Sequence, residues 1–191
     1  QSKILAQEPL SLPLVQTIHR TLTEGTYDER RYITNGERPG AFKKHDYVTG
    51  KNEVGSPPEA VADDLTELIE EVNAIGAQAP LKAGAYFHAR FENIHPFADG
   101  NGRVGRTLLN YWLMINHYPP LVIYEEDRRA YYDALQTYDE QEDLAPLVTF
   151  LEDQTVKTWS RFLKPPAGNA PPRKGLNFFM SHNHRLSRWL E

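Results

Sequence analysis

Residues 94–106, IHPFADGNGRVGR, force a break between two helices and so fix how this chain can fold. Pro96 drives the residue before it out of the α region. Gly100, Asn101 and Gly102 then supply a turn from which a new helix can start. Upstream, LKAGAYFHARFEN predicts a helix over about 81–93. Downstream, from near Arg103, Val104, Leu108, Trp112 and Ile115 share one face until HYPPL ends the run. Apolar stripes of the same period recur elsewhere. Leu14, Val15, Ile18 and Leu22 predict a helix stopped by Gly25. Val61, Leu65, Leu68, Val72 and Ile75 predict another, with Ser56 as its cap and two prolines at its start. Two more are expected over about 126–138 and 144–163. Between residues 26 and 55 helical period is missing, and HDYVTGKNEVG reads as a short β-hairpin turning at Thr49, Gly50, Lys51 and Asn52. The expected fold is therefore all-α, a helical bundle with one small β-hairpin flap.

Composition narrows the function. With 191 residues, 40% of them hydrophobic, the chain can bury one core. A net charge of −5 argues against a nucleic-acid-coating protein but permits a local basic pocket. The absence of cysteine excludes disulfides and thiolate chemistry and fits a reducing compartment. No apolar run approaches the ~20 residues that span a bilayer, so no membrane partner is expected. No signal peptide is visible, but the chain starts at Gln1 rather than methionine, so upstream sequence is expected. The expected location is the cytoplasm, or a host cell's cytosol for a secreted effector. Residues 1–163 form the expected catalytic domain, with its core over about 14–163. Residues 164–175, KPPAGNAPPRKG, read as a stiff proline-rich linker. Residues 176–191 read as a C-terminal helix or tail.

The break itself has the parts of a phosphate site. The glycine turn can aim successive backbone N–H groups into one concavity, and the helix that follows adds its free N–H groups and the positive end of its dipole. Arg103 and Arg106, three apart, lie on one helix face and suit bidentate pairing with phosphate oxygens. An acid beside bound phosphate is counterproductive without a cation, so Asp99 points to Mg²⁺. His95 titrates nearest neutrality and can take a proton from an attacking hydroxyl. Singly, each feature is ordinary: a helix end, a turn, a solvated face. Together within thirteen residues they describe a nucleotide-dependent transferase.

Two rival patterns fare worse. Gly100, Gly102 and Gly105 match G-x-G-x-x-G, with Glu125 and Glu126 about 20 residues on, but that fingerprint must follow a buried strand within a βαβ unit. The preceding segment is helical and carries Lys82, His88, Arg90 and Glu92. His88, Glu92 and His95 have a spacing that could present metal ligands on one helix face, but Pro96 disturbs the register, and His88 reads better as a structural residue beneath the loop. No Walker A pattern is present.

HPFADGNGRVGR resembles the complete Fic-family signature, His-Pro-Phe-x-Asp/Glu-Gly-Asn-Gly-Arg-x-x-Arg, without mismatch from His95 to Arg106. IHRTL, PGAFKKHDYVTGKNEVGSPPEAV, YPP and YYDAL resemble segments around that signature, so the likeness covers most of residues 14–163. The resemblance implies a helical domain that is a protein adenylyltransferase, moving AMP from ATP to a Ser, Thr or Tyr hydroxyl of a target protein and releasing pyrophosphate. It implies His95 as general base, Asp99 as the Mg²⁺ carboxylate, and Gly100, Asn101 and Gly102 as the anion hole. Arg103 and Arg106 would hold the β and γ phosphates, Phe97 would anchor the loop, and Tyr131 would pack the adenine. Asp139 falls near a position where some relatives have asparagine. Lys43 stands where many relatives have arginine. The hairpin would be a flap that aligns the target by strand pairing, with Tyr47 and Val48 as its clamp. The alternatives are a Fic-fold enzyme of other transfer chemistry, kinase-like or de-AMPylating, and a non-catalytic nucleotide-binding docking module. The intact Gly-Asn-Gly turn favours AMP transfer, and the intact His95 and Arg103 favour an enzyme.

Many relatives are inhibited by a helix bearing Ser/Thr-x-x-x-Glu-Gly/Asn, whose glutamate pairs with the second signature arginine, here Arg106. The chain has no complete copy. Glu24-Gly25 has Arg20 at the Ser/Thr position, and Ser187 to Glu191 ends before the Gly/Asn. An inhibitory helix upstream of Gln1 or a separate antitoxin is favoured over Glu191.

Overall fold

The structure is a computed structural model that describes residues 2–48 and 54–163. Its helices are α1 (Ser2–Leu5), α2 (Leu12–Thr23), α3 (Val61–Ile75), α4 (Pro80–Ile94), α5 (Asn101–Ile115), α6 (Arg128–Gln141) and α7 (Ala145–Leu163). Helix α4 is the hub. It packs most extensively on α5 and also meets α3, α6 and α7, while α2 closes over α5 and α3. Its pairing with α5 is close because two glycines lie in the seam. A Cβ on Gly84 would come within 2.9 Å of Trp112, and one on Gly105 within 2.4 Å of Glu92 Oε1. Phe87, Phe91, Phe97, Tyr111 and Trp112 fill the space between the helices.

Each expected stripe faces this core. Leu14, Val15, Ile18 and Leu22 of α2 are buried, as are Val61, Leu65, Leu68 and Val72 of α3. Ile75, expected in the α3 stripe, is 37% exposed at the last turn. Ser56 is not the α3 cap. The helix begins at Val61, with Ala60, four residues after Ser56, at the N-cap position. Ser56 instead hydroxyl-bonds Asp64 at 2.5 Å and gives its backbone N–H to the Ile94 carbonyl at 2.9 Å. It therefore ties the segment before α3 to the end of α4. The proline pair that suggested a helix start forms a turn ahead of it.

The segment between α2 and α3 is irregular, as expected, apart from one π-helical turn at Arg30–Thr34. No strand forms among the described residues, so the flanks of the expected hairpin, through Val48 and from Val54, are unpaired there. The hairpin turn at Thr49–Asn52, the linker and the C-terminal segment, including Ser187 and Glu191, lie outside the described residues. No helix among the described residues is long and apolar enough to cross a membrane.

Candidate active site

The site is a loop of six residues between α4 and α5. Its first residue, His95, caps α4 in the left-handed conformation, at φ 50° and ψ 62°, and its N–H still bonds the Phe91 carbonyl at 3.1 Å. Its last, Gly100, starts α5 at φ 83°. Glycine is required there twice over, since a Cβ would meet Thr23 Cγ2 at 2.6 Å.

The loop is clamped from inside. Phe97 is fully buried and stacks on His19, with ring centroids 3.7 Å apart and planes 5° apart. The Asn101 side chain closes a ring on the Phe97 backbone, accepting from its N–H at 2.9 Å and donating to its carbonyl at 2.7 Å. With Asn101 only 2% exposed, that side chain serves the loop, and its backbone N–H is the group at the helix start. The first bond of α5 runs from Val104 N–H to the Gly100 carbonyl at 3.0 Å. The N–H groups of Asn101, Gly102 and Arg103 precede it and have no partner within the helix, the kind of end that suits an anion.

Three positioning residues, His19, Arg31 and Lys43, were not legible in the sequence. Gly40 N–H donates to His19 Nδ1 at 2.7 Å. This leaves the proton on Nε2, which donates to the Asp99 carbonyl at 3.0 Å. Burial pushes the His19 pKa down to about 4, so the ring keeps this neutral tautomer. Arg31 Nε donates to the Ala98 carbonyl at 3.2 Å. Lys43 gives its N–H to the Pro96 carbonyl at 2.9 Å and its buried ammonium to the Val54 carbonyl at 2.7 Å. Lys43 thus ties both flap flanks to the loop. IHRTL placed His19 on a helix, but only packing brings it beneath residue 99.

The titratable groups of the loop sit in different surroundings. Burial first, and the Lys43 charge second, push the His95 pKa down to about 4, opposed by the Glu92 carbonyl and by Asp99. His95 is therefore an unprotonated acceptor at neutral pH. Gly55 packs on it closely, and a Cβ there would meet the Ile94 carbonyl at 2.5 Å. Asp99 and Arg103 are each about two-fifths exposed, with their nearest atoms 3.4 Å apart. So long and open a pair holds neither group firmly. Arg103 also donates to the Leu22 carbonyl at 3.3 Å. Arg106 lies on the α6 side, where its charge acts on Glu92 and Tyr131.

The remaining expectations divide. Tyr131 is only 3% exposed, its hydroxyl lies 2.7 Å from His88 Nε2, and Phe150 and Tyr132 pack on its ring. It presents no open face to a base, whereas Tyr132 beside it is 50% exposed. His88 is buried and hydrogen-bonded beneath α5, as a structural residue would be. No group of three metal-ligating side chains occurs among the described residues. Tyr47 is half-buried, its hydroxyl donating to Glu37 at 3.0 Å and accepting from Asn35 at 3.0 Å, while Val48 is 67% exposed. Asp139 accepts from Asn93 at 3.3 Å.

A clamped loop thus runs from a neutral histidine at the end of α4 to the free N–H groups at the start of α5, with Arg103 and Arg106 in the first turns of that helix. The chain belongs to the Fic/DOC family, whose model matches residues 9–113. It is 44% identical over 84 residues to the protein adenylyltransferase Fic of Aedes aegypti, a span of 44% of this chain and 17% of that protein. It is 32% identical over 162 residues to the protein adenylyltransferase Fic of Drosophila persimilis, 83% of this chain and 32% of that protein. The chain thus spans a third or less of these relatives. Among solved structures, a Fic-domain signalling protein from Bacteroides thetaiotaomicron has the same fold, with TM-score 0.71 and 24% identity over 83% of this chain and 64% of that one. Fic-1 from C. elegans aligns with TM-score 0.67 and 26% identity over 83% of this chain and 44% of that one.

Proposed function

We propose that this domain is a protein adenylyltransferase that moves AMP from ATP to a Ser, Thr or Tyr hydroxyl of a target protein and releases pyrophosphate. The observation that carries this reading is the clamped loop, with an unprotonated His95 at its start and the free amides of α5 at its end. The relatives named protein adenylyltransferase Fic support it.

In this reading His95 takes the proton of the target hydroxyl as its oxygen bonds the α-phosphorus. The bond from that phosphorus to the bridging oxygen breaks, and pyrophosphate leaves. The amides of residues 101–103, Arg103 and Arg106 hold the β and γ phosphates and the charge that gathers on the leaving group. A single open carboxylate fits Mg²⁺, which keeps few protein ligands and takes phosphate oxygens as the rest. Asp99 is such a group. When bound there, the ion would neutralise phosphate charge. The half-exposed ring of Tyr132 is the better partner for the adenine. Val48 would meet the target segment, with Tyr47 fixing the flap from which it projects. An inhibitory helix or antitoxin would act by competing for Arg106.

The test is incubation with ATP labelled at the α or the γ phosphate, alongside candidate target lysate. Label entering protein from the α position alone supports adenylyl transfer. Label from the γ position alone means kinase chemistry and overturns the reading.

A further inference from the structure

Beneath Arg106 lies a polar cluster that phosphate binding by the loop does not use. Glu92 sits on α4, facing α5 across Gly105, the residue before Arg106. Its side chain is 18% exposed, yet Oε1 is out of contact with water and has no hydrogen-bond partner. His88 Nδ1 lies 4.0 Å away, beyond hydrogen-bond reach, and faces the Gly105 backbone instead. A buried polar atom without a partner is rare and calls for a cause. The other side of His88 is fixed, with Nε2 against the Tyr131 hydroxyl at 2.7 Å. Burial first, then the Arg106 charge, push the His88 pKa down to about 3, so it brings no charge to Glu92.

The groups that act on Glu92 come from three helices. His88 shares α4 with it, Arg106 belongs to α5, and Tyr131 and Asp139 to α6. Burial is the largest influence, Arg106 opposes it, and Asp139 adds to it, leaving the Glu92 pKa near 7. The carboxyl therefore stands where ionisation is finely balanced, with one cation to favour its charged form. That cation is an arginine the proposed site assigns to a phosphate.

We propose that Glu92 is a proton-linked partner of Arg106: it takes up a proton from solvent when the β and γ phosphates of a bound nucleotide claim the guanidinium. Ionised Glu92 draws on the Arg106 charge. A triphosphate that engages Arg106 withdraws that charge from Glu92 and adds negative potential beside it, and both effects favour the neutral acid. Protonation and phosphate binding are then linked, each promoting the other. Glu92 is a positioning residue here, acting on nucleotide through Arg106. The inference rests on the reading of Arg106 as a polyphosphate ligand.

The test is calorimetry of Mg-ATP binding to the full chain and to Glu92→Gln, at pH 7 in buffers of different ionisation enthalpy. Glu92→Gln keeps the shape and removes the titration. Near pH 7 about half of Glu92 is ionised, so the native chain should take up as much as ~0.5 proton per ATP, and Glu92→Gln none beyond the nucleotide's own share. Where bound nucleotide keeps the acid neutral, the native Kd rises about tenfold between pH 6 and pH 8, and the variant's does not. AMP, which lacks both outer phosphates, should show no uptake with either protein. Glu92→Asp, which keeps an acid, should keep part of the linkage, and circular dichroism checks that the variants are folded. Equal proton uptake by native and Glu92→Gln chains that both bind Mg-ATP overturns the inference alone. Failure of both to bind Mg-ATP overturns the nucleotide site as well.

Discussion

Removing the His19 ring should loosen the loop between α4 and α5 and destabilise the whole domain. In His19→Ala the Gly40 N–H and the Asp99 carbonyl lose their shared partner. A buried group left unsatisfied costs about 1–3 kcal/mol. Gly40 N–H sits in a buried bond and belongs at the upper end; the Asp99 bond is only partly buried and belongs at the lower. The ring stacked on Phe97 adds about 0.5–1.5 kcal/mol. The sum is about 4.5–5.5 kcal/mol, a large share of the ~5–15 kcal/mol that holds a domain together. His19→Phe keeps the stack and loses only the hydrogen bonds, so it should fall between native and alanine. Urea unfolding with an unchanged m-value measures both. A double-mutant cycle with Phe97→Ala isolates the stacking share. A loss below about 1 kcal/mol in His19→Ala would refute the loop-clamp reasoning, because neither orphaned group would then have been relying on the ring.

Three further outcomes follow from the same geometry. Gly100→Ala must place a Cβ 2.6 Å from Thr23 at φ 83°, and should lose at least ~1–2 kcal/mol of stability in urea together with ATP affinity. A variant as stable as native would show that the turn relaxes freely. Asp99→Ala should abolish activity and its dependence on Mg²⁺ together, whereas activity that still tracks Mg²⁺ would move the ion elsewhere. Stability should rise from pH 5 to 6. Over that range the unfolded chain holds protons on His19, His88 and His95 that the folded chain lacks, while folded Glu92 holds one that the unfolded chain has lost. The net difference of about two protons gives a slope of up to ~2.7 kcal/mol per pH unit, and a flat or falling curve in urea titrations at each pH would contradict it.

Helix periodicity, the proline break and the glycine turn are local signals, so six helices and the loop were legible in the sequence. Ser56 misled because a serine before prolines and an apolar run has the composition of a cap, while its actual partners, Asp64 and Ile94, are set by how the segment packs. The tyrosine pair on α6 was equally hard to resolve from sequence: Tyr131 was the expected adenine contact, and Tyr132 stands beside it. The two are identical in type, and only the rotation of α6 decides which is buried against Phe150 and which stays open. Asn101 was visible as part of the turn, but its side chain proved to be a clamp. His19, Lys43 and Arg31 reach the loop from 50 or more residues away, a distance across which sequence period carries no information.

The most direct test of the central claim is His95→Ala, assayed separately for Mg-ATP affinity and for transfer of α-labelled AMP to protein. A base at His95 acts on the attacking hydroxyl and not on the nucleotide. ATP affinity should therefore stay near native while transfer falls by about 10²–10⁴-fold. Transfer at the native rate, or loss of ATP binding in a folded protein, would contradict the assignment of His95 as the base.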